Sequence, residues 1–378
     1  MCATTSTGSG AYGHRDAVKD RLVELGVGHI RNRLYSGNRG QIAFVRQLAA
    51  SGIRLNAGIS DPSNKGGTPE QLVALVAEQL PDACSSFEGA NEWNLQGGRN
   101  WVSELRTHQS RLYRAAKANA RTRNIPVVGP SLGMRKDYAA LGDLSAMMDR
   151  GNIHLYTGGF SPGYRSDDQL AEERRVCGSK PVFVTETGWH NASRYTGTHN
   201  YTPENIAGIY APRLVLEYFR RNVPRVFIYE LVDDPANPAM NDHEAHFGLL
   251  RNDFSRKPAF TALANFQKLL DSPNASKGAG RSLTYGLTGA TSDVRSVLVS
   301  RNDGTSVLFL WRDVAVWDVN TRRELVVKPA TVTVNVGQRS SIRAYKPSTS
   351  NGALQSAAST SGMSLPITGE VWALEIRN

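Results

Sequence analysis

Two glutamates are set apart by where they fall in the chain. One ends the run Phe87-Glu88-Gly89-Ala90-Asn91-Glu92 and is followed by Trp93-Asn94; the other ends Val182-Phe183-Val184-Thr185-Glu186 and is followed by Thr187-Gly188-Trp189. An ionised carboxylate closing an apolar run is costly to desolvate unless a partner or a task holds it there. A tryptophan close by offers a flat apolar face that can stack on a sugar, with an N–H at one edge. Glu88 lies on the same run as Glu92 and reads as a framework carboxylate, not as the second reacting group.

The elements that must position these groups follow from hydrophobic period. The chain has 378 residues, 40% of them hydrophobic and 21% charged, an ordinary globular composition that excludes disorder, collagen and coiled coil. No run approaches the roughly 20 apolar residues of a membrane-spanning helix. Up to residue 271 helical patterns near 14–26, 39–51, 69–80, 101–122, 137–150, 167–176, 203–222 and 258–270 alternate with short apolar runs. Those runs, at 28–34, 53–59, 86–91, 126–132, 152–157, 181–186 and 225–231, read as strands. Thr68-Pro69-Glu70-Gln71 and Thr202-Pro203-Glu204 mark helix starts. Such strict alternation predicts a (β/α)8 barrel over residues 1–271, with functional groups at the C-terminal ends of its strands. The barrel's first strand has only residues 1–7 to draw on, so a short or truncated first strand, and an open barrel, is expected.

From residue 280 the period changes to two. Val297-Leu298-Val299, Val307 to Trp311, Val332 to Val336 and Val371 to Ile376 read as strands, with Asp303-Gly304 as a hairpin turn. A C-terminal β-sandwich over 281–378 follows, joined by a linker at 272–280, with the Ser/Ala-rich stretch 348–362 as a loose loop. Trp311, Trp317 and Trp372 in this part read as core.

Glu92 and Glu186, placed at the ends of strands four and seven with Asn91 before the first, resemble the pattern of clan A retaining glycoside hydrolases, the barrel families around 39 and 5. Phe247-Gly248-Leu249-Leu250 and Lys257-Pro258-Ala259-Phe260 are similar to the stretch after strand eight in those enzymes. The resemblance implies Glu92 as acid/base, Glu186 as nucleophile and Asn91 as a hydrogen-bonding partner of the sugar 2-hydroxyl. It further implies Arg31 and Tyr156 as the groups that hold Glu186 ionised and oriented, and His154 as a lining residue. Trp93, Trp189 and His190 are candidate substrate contacts. Tyr229 and Glu230 stand where clan members often carry a tryptophan at the end of strand eight.

The division of labour has a physical basis. A glycosidic oxygen leaves readily only when protonated, so one carboxyl must hold a proton while the other stays anionic; about 5–5.5 Å between them permits direct attack and retention. Partial burial beside Trp93 is expected to raise the pKa of Glu92.

The charge balance of 44 basic against 34 acidic residues, +10, is spread evenly: residues 272–378 hold 12 and 7, the remainder 32 and 27. Basic pairs such as Arg174-Arg175 come without aromatic interleaving, so neither nucleic acid nor a membrane is an expected partner. Cys2, Cys84 and Cys177 match no disulfide framework or zinc spacing and read as buried free thiols. Asp242, His243, Glu244 and His246 fit no metal motif and read as a solvated loop, so no metal and no cofactor is expected. The N-terminus carries no signal-peptide pattern; either this export route is unused or the sequence begins after a removed segment. The reading is a retaining glycoside hydrolase acting on an oligo- or polysaccharide, β-linked by resemblance, with an acidic glycan left open by the basic surface. The alternatives are a carbohydrate-binding protein on an impaired barrel and a transglycosidase.

Overall fold

The computed structural model describes residues 1–6, 8–271 and 283–377. Two parallel sheets form the first part of the chain. His29–Leu34, Arg54–Ile59, Cys84–Glu88 and Val127–Val128 lie side by side in chain order, and Gly151–His154, Val182–Thr187 and Val226–Ile228 form the second sheet. The sheets are hydrogen-bonded to each other at both edges. Val128 bridges to Arg150 in parallel on one side. On the other, residues 1–3 act as the connecting strand: Arg31 N–H donates to the Met1 carbonyl (2.9 Å), and Cys2 N–H donates to the Ile228 carbonyl (2.9 Å). Of the short or truncated first strand expected from the poor apolar character of residues 1–7, the structure shows the short form, residues 1–3. Three residues hold their place through backbone bonds on both flanks and through Met1 and Ala3, which are buried in the apolar core.

Side chains alternate across these strands. Ile30, Leu34, Leu55, Ala57, Ile59 and Phe87 join one apolar cluster with Phe44, Val45, Leu72 and Val76 from the covering helices. The residues between them are polar: Arg31, Asn56, Ser86 and Glu88. The helices start where local chemistry dictates. Thr68 and Gln71 form a complete capping box, with Pro69 at the first helical position of Pro69–Gln79. In Trp101–Ala118, Leu105, His108, Gln109, Leu112 and Ala116 form the buried stripe. Two helix readings change. Residues 137–150 hold only the four-residue helix Tyr138–Leu141 and flanking single turns, because Gly142 at φ 68° ends it. Thr202 does not cap Glu204–Arg220, whose N-cap is Pro203.

The C-terminal part holds a six-stranded antiparallel sheet ordered Gln355–Ile367, Ala330–Tyr345, Trp372–Arg377, Ser306–Arg312, Val294–Ser300, with Gly286–Gly289 also on Ala330–Tyr345, and a separate two-stranded pairing of Trp317–Asp318 with Arg323–Glu324. The 16-residue strand Ala330–Tyr345 pairs first with Gly286–Gly289 and then with Trp372–Arg377. One set of side chains encloses Leu308, Leu310, Val332, Ile342, Leu374 and Ile376; the other packs Val307, Phe309 and Trp311 against Leu216, Phe266 and Leu269 of two helices from the first part. Trp311 donates its N–H to Glu217 Oε1 at 2.9 Å across this junction. All three candidate tryptophans are buried, as a core role requires. The stretch 348–362, expected as a loop, contributes most of its residues to the edge strand Gln355–Ile367, since backbone pairing to Ala330–Tyr345 needs no apolar side chains. The expected linker 272–280 lies outside the described residues.

Candidate active site

Glu92 owes its position to a turn that few residues adopt. Its backbone is left-handed (φ 46°, ψ 39°), a conformation that costs a non-glycine residue roughly 1 kcal/mol or more. The turn is held by Glu92 N–H donating to the Ser131 carbonyl (3.2 Å) and by Ser131 N–H donating to the Ala90 carbonyl (3.2 Å). A Cβ at Gly133 would stand 3.2 Å from the Glu92 carboxyl carbon and 2.6 Å from Leu95 Cδ1, so the chain passes close beneath the acid. Glu186 is placed by its strand, and the backbone after it needs glycine: Gly188 has φ 154°, and a Cβ there would lie 2.4 Å from the Tyr229 carbonyl oxygen.

Arg31, on the strand beside residues 1–3, ties the site together. Its Nη1 donates to Glu186 Oε1 (2.5 Å), and its Nη2 donates to Glu88 Oε1 (2.7 Å) and Asn91 Oδ1 (2.7 Å). Its Nε reaches Glu88 Oε2 at 2.8 Å. Glu88 is fully buried and also accepts from Asn56, Asn152 (3.2 Å) and Thr185 (3.1 Å), so it is the framework anion the sequence suggested. Burial opposes the charge on Arg31, but Glu88 and Glu186 outweigh it and hold the guanidinium pKa well above its ordinary value. Tyr156 donates to Glu186 Oε2 at 2.9 Å; burial and the Glu186 charge keep this phenol protonated. Glu186 thus accepts from a fixed cation and a neutral hydroxyl, one on each oxygen.

Glu92 is served by His154. The imidazole Nε2 sits 3.3 Å from Arg31 Nη2, which can only donate, so Nδ1 carries the ring proton and donates to Glu92 Oε1 at 2.7 Å. Here the expectation for Glu92 is corrected. Burial does push its pKa up, but the hydrogen bond from His154 and the positive charge of Arg31 outweigh burial and leave it below the usual carboxylate value. Ligand atoms of Glu92, His154 and Glu186 all lie within 4.8 Å of one another, the only such metal-capable group among the described residues. Arg31 already supplies positive charge to Glu186 and contacts His154, which disfavours a cation there.

Beside Arg31 and Asn91 opens a cavity of about 250 Å³, bounded also by Asp61, Gln96, Tyr229 and Glu230. Asn91 Oδ1 is taken by Arg31, leaving its NH2 as the group to offer a ligand. Tyr229 borders the cavity, packed edge-on against Phe247. Trp93 is half-buried with its N–H on Glu104 (2.8 Å), which fixes its ring beside Glu92.

Trp189 and His190 are corrections. Trp189 is buried, its N–H bound to Thr157 Oγ1 (2.9 Å) and its ring against Tyr210. His190 is 1% exposed, bonded to the His199 carbonyl, and burial pushes its pKa down to about 4. Both residues point into the interior, and neither lines the cavity. The loop read as solvated is partly buried: Lys257 donates to Asp233 (2.8 Å) and Asn191 (3.0 Å), with His246 close by. Sequence reading missed the polar interior set Asn56, Asn152 and Thr185, although their place inside apolar strand runs was a usable signal. It also missed Tyr12, which meets Glu230 from 218 residues away and carried no signal at all.

No protein-family model matches the sequence, nor does any curated protein. Solved structures do. A family 39 glycoside hydrolase from the gut symbiont Bacteroides cellulosilyticus WH2 superposes with a TM-score of 0.65 at 18% identity, covering 100% of this chain and 80% of that one. A family 39 enzyme from Xanthomonas axonopodis pv. citri gives 0.59 at 15% identity, over 96% of this chain and 90% of the other. A glucosidase from Croceicoccus marinus gives 0.61 at 13%, over 96% and 91%. At these identities the likeness is one of fold: along its length, this chain resembles the family 39 glycoside hydrolases.

Proposed function

We propose that the protein is a retaining glycoside hydrolase acting on a β-linked oligo- or polysaccharide. The observation that carries this reading is the pairing of Glu92 and Glu186, with carboxylate oxygens within 4.8 Å and Arg31 and Tyr156 both bound to Glu186. That separation suits direct attack better than the wider gap an inverting enzyme leaves for water. Glu186, held by Arg31 and Tyr156, attacks the anomeric carbon as Glu92 gives its proton to the departing oxygen. Glu92 then takes a proton from water, which attacks the same carbon and frees Glu186. The NH2 of Asn91 is placed to bond the sugar 2-hydroxyl as charge develops. The carboxyls supply all the proton and bond chemistry, so the mechanism calls for no cofactor.

The architecture that goes with this reading is a (β/α)8 barrel over residues 1–271, with residues 1–3 as its first strand and a β-sandwich over 281–378. The hydrogen bonds of residues 1–3 on both flanks support it. They also remove the main support for an impaired barrel that only binds carbohydrate.

Reducing-sugar release across a polysaccharide panel, acidic glycans included, tests the proposal with Glu186→Gln and Glu92→Gln alongside. Loss of activity in Glu186→Gln and a sharp fall in Glu92→Gln are expected, with the first-formed product retaining its anomeric configuration by proton NMR. Wild type as silent as both variants, with a glycan still bound, would sink the hydrolase in favour of a binding protein. Transfer to sugar acceptors in preference to water would make it a transglycosidase.

A further inference from the structure

Two acids on the cavity wall are left unused by the mechanism above, and of these Asp61 is paired with Arg33 while Glu230 has no cation beside it. Its backbone is pinned, N–H to the Phe247 carbonyl (3.1 Å) and carbonyl to Leu249 N–H (2.9 Å), so its side chain has a set direction. It is 6% exposed, and it borders the cavity with Arg31, Asn91 and Tyr229. Tyr12 O–H lies 2.9 Å from Oε2, and the same phenol oxygen accepts Val232 N–H at 3.3 Å. With its lone pairs turned to Val232, Tyr12 is the donor to Oε2. Oε1 has no hydrogen-bond partner among the described residues.

The charges around Glu230 are of its own sign. Asp233 and Asp234 come from the following loop, and Glu244 from the turn Glu244–His246. Asp233 is itself matched by Lys257 and His246. Tyr12 and Tyr229 face it as neutral phenols, raised well above their ordinary pKa by burial. The cationic groups on the cavity wall are already engaged, Arg31 with Glu88 and Glu186, and Arg33 with Asp61.

We infer that Glu230 is a substrate-binding residue that, uncharged, donates its Oε1 proton to a hydroxyl of the sugar in this cavity, and that the cavity selects a neutral glycone over a uronate. The inference rests on the glycosidase reading for the ligand's identity. Burial, then repulsion from Asp233, Glu244 and Asp234, fits it by pushing the Glu230 pKa up to about 8. Since Tyr12 already donates to Oε2, the carboxyl's own proton belongs on Oε1, which has no hydrogen-bond partner among the described residues. A uronate would set a second carboxylate among these acids with no unpaired cation to receive it.

The test uses the full chain and para-nitrophenyl β-glycosides of glucose, galactose, xylose and glucuronic acid, followed by both turnover and equilibrium binding. Carbon NMR of labelled glutamate carboxyls, with Glu230 assigned from Glu230→Gln, gives a readout independent of catalysis. Expected are a Glu230 titration near pH 8, at least about 10-fold preference for a neutral glycoside, and a KM rising as pH passes that point. Glu230→Ala should raise KM about 10-fold or more, while Glu230→Gln, which keeps a donor at the Oε1 position, should recover most of the loss and flatten the alkaline rise. Titration in the ordinary carboxylate range, preference for the glucuronide, or an unchanged KM in Glu230→Ala would each overturn the inference. If no glycoside is turned over but neutral ones bind with the same dependence on Glu230, the hydrolase fails and the inference stands. If none binds, both fail.

Discussion

The interiors of the two parts of this protein are built on opposite terms. Within the parallel strands, Arg31, Asn56, Ser86, Glu88, Asn152 and Thr185 form a buried hydrogen-bonded set centred on one anion and one cation. Within the C-terminal sheet, Leu308, Leu310, Val332, Ile342, Leu365 and Leu374 form an apolar core. The first arrangement is poor economy for stability, because desolvating an ion pair offsets most of its attraction. It does hold a guanidinium and two carboxylates in one geometry. The second is non-directional and stabilises by area. Orientation for chemistry is thus kept inside the parallel strands, while apolar support comes from the C-terminal core and from the helices packed outside those strands.

Breaking the first region should cost both stability and turnover. Glu88→Ala leaves Arg31 buried without its main partner. The expected loss is about 3–5 kcal/mol in urea unfolding, together with a large fall in kcat as Arg31 shifts relative to Glu186. Retention of full activity in a folded Glu88→Ala protein would mean that the polar set is only structural. Leu310→Ala in the sheet is the counterpart. It should cost about 2–4 kcal/mol and leave kcat of the folded protein within a factor of about two.

The remaining tests are in pH. Glu230 has a folded pKa raised from 4.5 to about 8, so the folded state keeps a proton that the unfolded chain releases. Its contribution is fully present below the unfolded value and is lost as pH rises through the folded one. Wild type should therefore lose stability between about pH 4.5 and 8, and Glu230→Gln should show a shallower slope by unfolding at a series of pH values. Buried Glu173, also raised by burial, leaves some slope behind. The smallest expected effect concerns His154. Glu92 must be protonated to act as acid, and its pKa is lowered, so kcat/KM should already fall as pH rises through the acidic range. His154→Ala removes the donor and gives burial more weight, moving that fall to higher pH; an unmoved limb would mean that His154 does not set the acid's pKa.

Much of the candidate site was legible because strand ends are legible. Glu92 and Glu186 follow from placing short apolar runs and looking at their C-terminal ends, while Arg31, His154, Tyr156 and Asn91 come from the family resemblance; the structure brings these residues together. Trp189 and His190 do not join them: both are buried, with their ring nitrogens held by Thr157 and His199. The Ser/Ala-rich edge strand was missed because its pairing is made by backbone groups, which leave no mark on side-chain pattern. Glu88 was assigned correctly as framework, but its partners Asn56, Asn152 and Thr185 come from three other strands.

By itself, the amino-acid sequence determined the order of helices and strands, the change of period near residue 280 and the two carboxyls at strand ends. Those properties are set by residues a few positions apart, through hydrophobic period, capping and turn chemistry. Tertiary structure alone decided that residues 1–3 join two sheets, that the Glu92 pKa falls when burial would raise it, and that Tyr12 meets Glu230. Each of these depends on groups tens to hundreds of positions apart, and a charge or a hydrogen bond has no effect until folding brings its partner within a few ångströms.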